Sequence, residues 1–177
     1  MYNNWKVDLS DSSRALLSIR DTHLKNVIGG KIYSIESSDN DVLMLMDQKC
    51  GIDYIRENDN GLQGIAARVQ FGKAYNTFTV RSRRHTGSIT EFEKRRRDVD
   101  GGYFYPQFTM QAYFADRSSI VLLSIGVVRT SDLYSFIAEH GDMVHTRWSD
   151  NEFKFVKWAD MINSGVRVIT YAPAEAA

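Results

Sequence analysis

The stretch GIDYIRENDNGLQGIAARVQFGK, residues 51–73, places one carboxylate, Asp53, ahead of a polar turn and then an alternating segment that carries Arg68 and Gln70 and ends at Lys73. Such a spacing suits half of a metal-dependent phosphodiesterase site, or the solvated edge of a β-hairpin. Asp47, just upstream, is a second acid able to approach the same edge. Further along, TVRSRRHTG and EKRRR gather Arg81, Arg83, Arg84, His85 and Lys94 to Arg97 into the densest positive run of the chain. Arg83, Arg84 and His85 read as part of a Ser/Gly/Thr-rich loop, where guanidinium groups grip phosphate oxygens without dictating sequence. The EKRRR run stands close to Glu91 and Glu93 and reads as ion pairing on a solvated helix face.

The elements that must hold these residues follow from periodicity. Side chains alternate along a strand, so Ile65, Ala67, Val69 and Phe71 point one way and Ala66, Arg68 and Gln70 the other. The Asp59-Asn60-Gly61 turn tolerates positive φ, and CGIDYI and LQGIAARVQF around it read as a hairpin. In a suitable register, Asp53 and Gln70 share one polar edge.

An opening helix carries Leu16, Ile19, His23 and Val27 on one stripe and stops at Gly29-Gly30. KIYSIE and DVLMLMD are expected to be strands, the second buried, and YNTFTVR a further strand. A helix opens with Ser88 and Glu91 at capping-box spacing and ends at a glycine pair. GGYFYPQF is expected to start a buried strand with Pro106 at its entry. QFTMQAYFA and SSIVLLSIGVV are strands, and SDLYSFIAEHG is a capped helix with Leu133, Phe136 and Ile137 inward. MVHTRW, EFKFVKW, a helical turn near Met161 and VRVITY complete the chain. The expected fold is α/β (α+β), a central mixed β-sheet flanked by helices, in a single domain spanning 1–177 with the last few residues frayed.

Element order and the G-I-D opening of the hairpin resemble the PD-(D/E)XK, or restriction endonuclease-like, nuclease superfamily, over roughly residues 12–128. The resemblance implies an αβββαβ core and a Mg²⁺- or Mn²⁺-dependent endonuclease or exonuclease acting on nucleic acid, DNA rather than RNA. It assigns Asp53 to the metal-binding aspartate, Arg68 to the position of the second acid and Gln70 to that of the lysine. Hard oxygens would hold the ion, which polarises phosphate and supplies a water nucleophile. An arginine cannot ligate Mg²⁺, so the second motif is degenerate. Asp47 or Glu36 would have to compensate, with Lys73 in place of the lysine. The alternative is a catalytically inactive module on the same fold that binds nucleic acid or protein.

The 22 basic and 22 acidic residues balance, so any nucleic-acid role must come from local clustering. Cys50 is the only cysteine and the four histidines are scattered, which disfavours a thiol nucleophile or a zinc cluster. No apolar run approaches a membrane span and no signal-peptide layout opens the chain, so a cytoplasmic location without a membrane partner is expected. EFKFVKW alternates Phe153 and Phe155 with lysines and is a candidate edge for pairing with a second copy. Phosphate loops of the P-loop or dinucleotide type and nucleophile elbows are not visible.

Overall fold

The structure is a computed structural model describing residues 5–35, 39–84, 86–118, 120–148 and 151–173. Glu36, His85 and residues 174–177 therefore lie outside the described residues.

A six-stranded mixed sheet forms the centre, in the order β1-β2-β3-β5-β6-β9. Its members are β1 (Lys31–Ser34), β2 (Tyr54–Asn58), β3 (Gly61–Phe71), β5 (Phe108–Phe114), β6 (Leu122–Arg129) and β9 (Val168–Tyr171). Only β3 and β5 pair in parallel; the other neighbours are antiparallel. The expected hairpin is present, with Tyr54 opposite Ile65 and Asn58 opposite Gly61. A parallel step needs a long crossover. Here the crossover contains β4 (Thr77–Arg84) and helix α4 (Glu91–Asp100). The strand expected at YNTFTVR thus leaves the central sheet and founds a second one. That sheet is antiparallel and ordered β4-β8-β7, with β7 at His145–Trp148 and β8 at Asn151–Lys157.

One face of the central sheet is covered by the opening helix. It runs as α1 (Trp5–Ile19), a π-helical turn (Arg20–Leu24) and α2 (Lys25–Ile28). Ala15, Leu16 and Ile19 pack on Ile65, Met110 and Phe114. A continuous α-helix would bring His23 and Val27 next onto that stripe, as expected from the sequence. The wider turn adds one residue to the repeat, so Leu24 and Ile28 are buried instead. His23 is left at the margin, with Nδ1 3.1 Å from the Tyr171 hydroxyl.

The opposite face meets the second sheet and helices α5 (Thr130–Glu139) and α6 (Trp158–Asn163) through Phe78, Val80, Tyr113, Leu133, Phe136 and Trp158. Tyr113 reaches across to the second sheet. Its hydroxyl donates to the Thr77 carbonyl at 2.8 Å and accepts from the Thr77 N–H at 3.1 Å. Leu133, Phe136 and Ile137 point inward as expected, but the cap of α5 does not: Arg129 stands at the N-cap and makes no capping bond.

Four further expectations are corrected. DVLMLMD is helix α3 (Asp41–Cys50), not a strand. Asn40 accepts from the N–H groups of Val42 and Leu43, Gly51 closes the helix in the left-handed region at φ 61°, and Leu and Met favour helix over strand. The capping box of α4 is formed by Thr90 and Glu93 rather than Ser88 and Glu91, which leaves Ile89 outside the helix and exposed. Tyr103 and Phe104 are exposed in a loop, and the strand begins only at Phe108. Finally, β8 is paired on both sides, by β4 and β7, so EFKFVKW offers no free edge to a second copy. No helix among the described residues is long and apolar enough to cross a membrane.

Candidate functional site

Asp53 stands between the left-handed Gly51 and the first residue of β2. Its N–H donates to the Ile65 carbonyl at 2.9 Å and its own carbonyl accepts from Ile35 at 3.1 Å. Its carboxylate Oδ2 accepts from the Ala67 N–H at 2.6 Å. The β2–β3 ladder ends at Tyr54 opposite Ile65, so this side chain supplies one further rung to β3. A donor that would otherwise lack a strand partner is thereby satisfied. Asp53→Ala should cost about 1–3 kcal/mol of stability, whereas Asp53→Asn, which retains an acceptor oxygen, should recover most of it. Urea denaturation of both variants measures the difference; equal losses would remove this role.

The residues beside Asp53 are Ala66 and Arg68, two positions earlier on β3 than the Arg68 and Gln70 pair taken from the resemblance. They line a cavity of about 230 Å³ together with Thr79 of β4, Gln111 of β5 and Glu91 and Arg95 of α4. Arg68 pairs with Glu91, both side chains being about 30% exposed. Arg95 is buried and donates to the carbonyls of Cys50 and Gly51, which ties α4 to the corner that presents Asp53. The solvated reading of EKRRR therefore fails for Arg95. It holds for Arg96, 3.6 Å from Asp100, and for Arg97, 3.1 Å from Asp98. Gln111 is 1% exposed, and neither its Nε2 nor the Thr79 hydroxyl has a hydrogen-bond partner among the described residues. Unsatisfied buried polar atoms are costly, so this cavity has hydrogen-bonding capacity in reserve.

Arg83 and Arg84 lie with Arg81 in strand β4, not in a loop. Arg83 is exposed opposite Glu152, and Arg84 is half-buried opposite Asn151. Arg81 is half-buried with its guanidinium 5.4 Å from the centroid of Phe153. Burial, and then the nearby charges of Arg68 and Arg84, hold its pKa below the ordinary arginine value. Glu91, the ion-pair partner of Arg68, offsets part of that effect.

Gln70 lies in a second hollow of about 310 Å³, with Tyr75, Thr77, His145, Arg147 and Phe155. Lys73 is exposed, its ammonium 6.0 Å from the Tyr75 ring centroid. Neither residue lines the Asp53 cavity. The two hollows are nevertheless neighbours. Arg68 and Gln70 are successive residues on one face of β3, and Thr79 and Thr77 are successive on one face of β4. Pairing sets Phe155 opposite Thr79 and His145, and Phe153 opposite Arg81 and Arg147. The two hollows therefore follow one another between β3 and the second sheet, and this row, with Arg81 and Phe153 on the same face of the second sheet, is called the groove below. The aromatic wall comes from β8, which sequence reading left as a small tail piece.

A Mg²⁺ ion requires several hard oxygen ligands in near-octahedral array. Asp47 sits on α3, outside the Asp53 cavity, where burial raises its pKa. Arg68 puts a cation where a second carboxylate is needed. No group of three or more His, Cys, Asp or Glu able to hold a metal occurs among the described residues. These residues do not fit the ion. No family model matches the chain, and no curated protein or solved structure is detectably similar to it.

Proposed function

We propose that the chain is a nucleic-acid-binding module that takes a phosphodiester backbone, DNA in the first instance, into the groove between β3 and β4. The observation that carries this reading is Arg68: it lines the Asp53 cavity, where it is paired with Glu91, and its charge acts on Arg81 of β4. Guanidinium groups form charge-assisted, bidentate bonds to phosphate oxygens, so the pair suits two backbone phosphates. Phe153, Phe155 and Tyr75 offer ring faces on which unstacked bases can rest, which favours a single strand over a duplex. The Asp53 carboxylate helps build the floor by bonding to β3.

The test is fluorescence anisotropy with a labelled single-stranded DNA, in chelator and in Mg²⁺, across a salt series. Binding should persist in chelator and fall as salt rises, with a log–log slope of about −0.7 for each phosphate engaged. Metal-dependent cutting that disappears in Asp53→Ala would replace this reading with the nuclease one. Binding indifferent to salt would exclude it.

A further inference from the structure

A second group of arginines lies at one end of the central sheet, on the face covered by α1 and α2. A cavity of about 350 Å³ opens there, lined by Arg56 and Gln63 of the hairpin, Phe108 of β5, Arg129 of β6, and Arg167 just before β9. Its position follows from register. Arg56 pairs with Gln63, Phe108 with Arg129, and Val128 with Val168, so Arg129 and Arg167 are the next residues beyond the end of that last ladder, and both line the cavity.

Arg56 is the built part of this site. Its Nε donates to the Gly29 carbonyl at 3.1 Å and its Nη1 to the Gln63 side-chain oxygen at 3.0 Å. Its guanidinium lies 5.8 Å from the Phe108 ring centroid. These three contacts fix its orientation before any ligand arrives. Arg129 and Arg167 are different: both are exposed and neither has an ion-pair or hydrogen-bond partner among the described residues. The cavity lining holds three arginines against a single acid, Asp132, which accepts from the Ser131 hydroxyl at 3.1 Å. Asn58 and Asn60 add neutral donors at the rim.

We infer that this cavity is a second anion site, separate from the groove, which binds a small multiply charged phosphate or phosphate ester. Its volume falls in the range of small-molecule pockets and is far too small for a duplex. Arg129 and Arg167 act as a planar clamp on the phosphoryl oxygens, and fixed Arg56 supplies the third contact.

Calorimetric titration of the whole chain with inorganic pyrophosphate, and separately with ADP, tests the inference. The wild-type chain should bind pyrophosphate saturably at one site. Arg129→Gln with Arg167→Gln should weaken that binding by about tenfold or more, while Lys49→Gln, an exposed charge on α3, should leave it intact. Tighter binding of ADP than of pyrophosphate would assign a nucleoside phosphate, and the reverse a free polyphosphate; either ranking supports the site. Arg167→Glu provides a second readout: at this exposed position it should leave the melting temperature of the free chain nearly unchanged and abolish pyrophosphate binding. Absence of saturable binding to both probes, or binding that survives the double substitution, would overturn the inference.

Discussion

Changing Arg68 and Arg81 together to glutamine should lower affinity for single-stranded DNA about a hundredfold at moderate salt, since each loses a charge-assisted contact to phosphate. The same change should flatten the salt dependence of log K by about 1.4, two phosphates' share for a single strand. The two readouts separate mechanism from damage, because a misfolded chain would lose affinity at every salt concentration without that particular change of slope. Removing Arg68 also leaves Glu91 without its partner. An unneutralised carboxylate then faces the incoming backbone, so Arg68→Gln alone should cost more than Arg81→Gln alone. Glutamine is preferred to alanine because it keeps a donor and much of the stem that packs in the groove. Unchanged affinity and slope in the double variant would show that the phosphates go elsewhere.

Trp158→Ala should destabilise the chain by about 3–5 kcal/mol, the cost of deleting a large buried aromatic side chain. Trp158 is 4% exposed and begins α6 directly after β8. Its ring stands 5.8 Å from both Phe78 of the second sheet and Tyr113 of the central one. It also lies over Gly126 so closely that a Cβ there would fall 2.3 Å from the indole Cε2. Gly126→Ala should therefore be destabilising in the wild-type chain and close to neutral, or helpful, beside Trp158→Ala. Such non-additivity is what contacting residues give in a double-mutant cycle. Urea denaturation of the four proteins measures it. Because this ring joins the two sheets that bound the groove, Trp158→Ala should weaken DNA binding as well.

The sheet and its hairpin were legible from alternation: Ile65 to Phe71 and Asp59-Asn60-Gly61 carry strand and turn chemistry in their own residues. Helix α3 was not, because LMLM reads as a buried run when apolar content is equated with burial. In fact Val42 is 63% and Leu45 54% exposed, and helix propensity with the Asn40 and Gly51 caps decides the outcome. The π-helical turn escaped for a similar reason. The step from Ile19 to Leu24 is one residue longer than an α-helical repeat, so helical periodicity alone selects His23 in its place. For the site, Asp53 and the arginines could be singled out by type, yet the groove could not, since register and the partner of β4 decide which of them meet. Arg68 meets Glu91 rather than a metal, and Gln70 falls into the neighbouring hollow. The aromatic wall was invisible because Phe153 and Phe155 reach it from far along the chain.

That last pairing has a bearing on biosynthesis. As the polypeptide leaves the ribosome, β4 emerges long before β8, the neighbour to which it is hydrogen-bonded, and contacts so distant in sequence are slow to form. Until then a half-made chain presents β4 as an uncovered edge, with Phe78 and Val80 open to stray association. Arg81, Arg83 and Arg84 in that strand would then bring like charges together wherever two nascent copies met edge to edge, which disfavours such zipping.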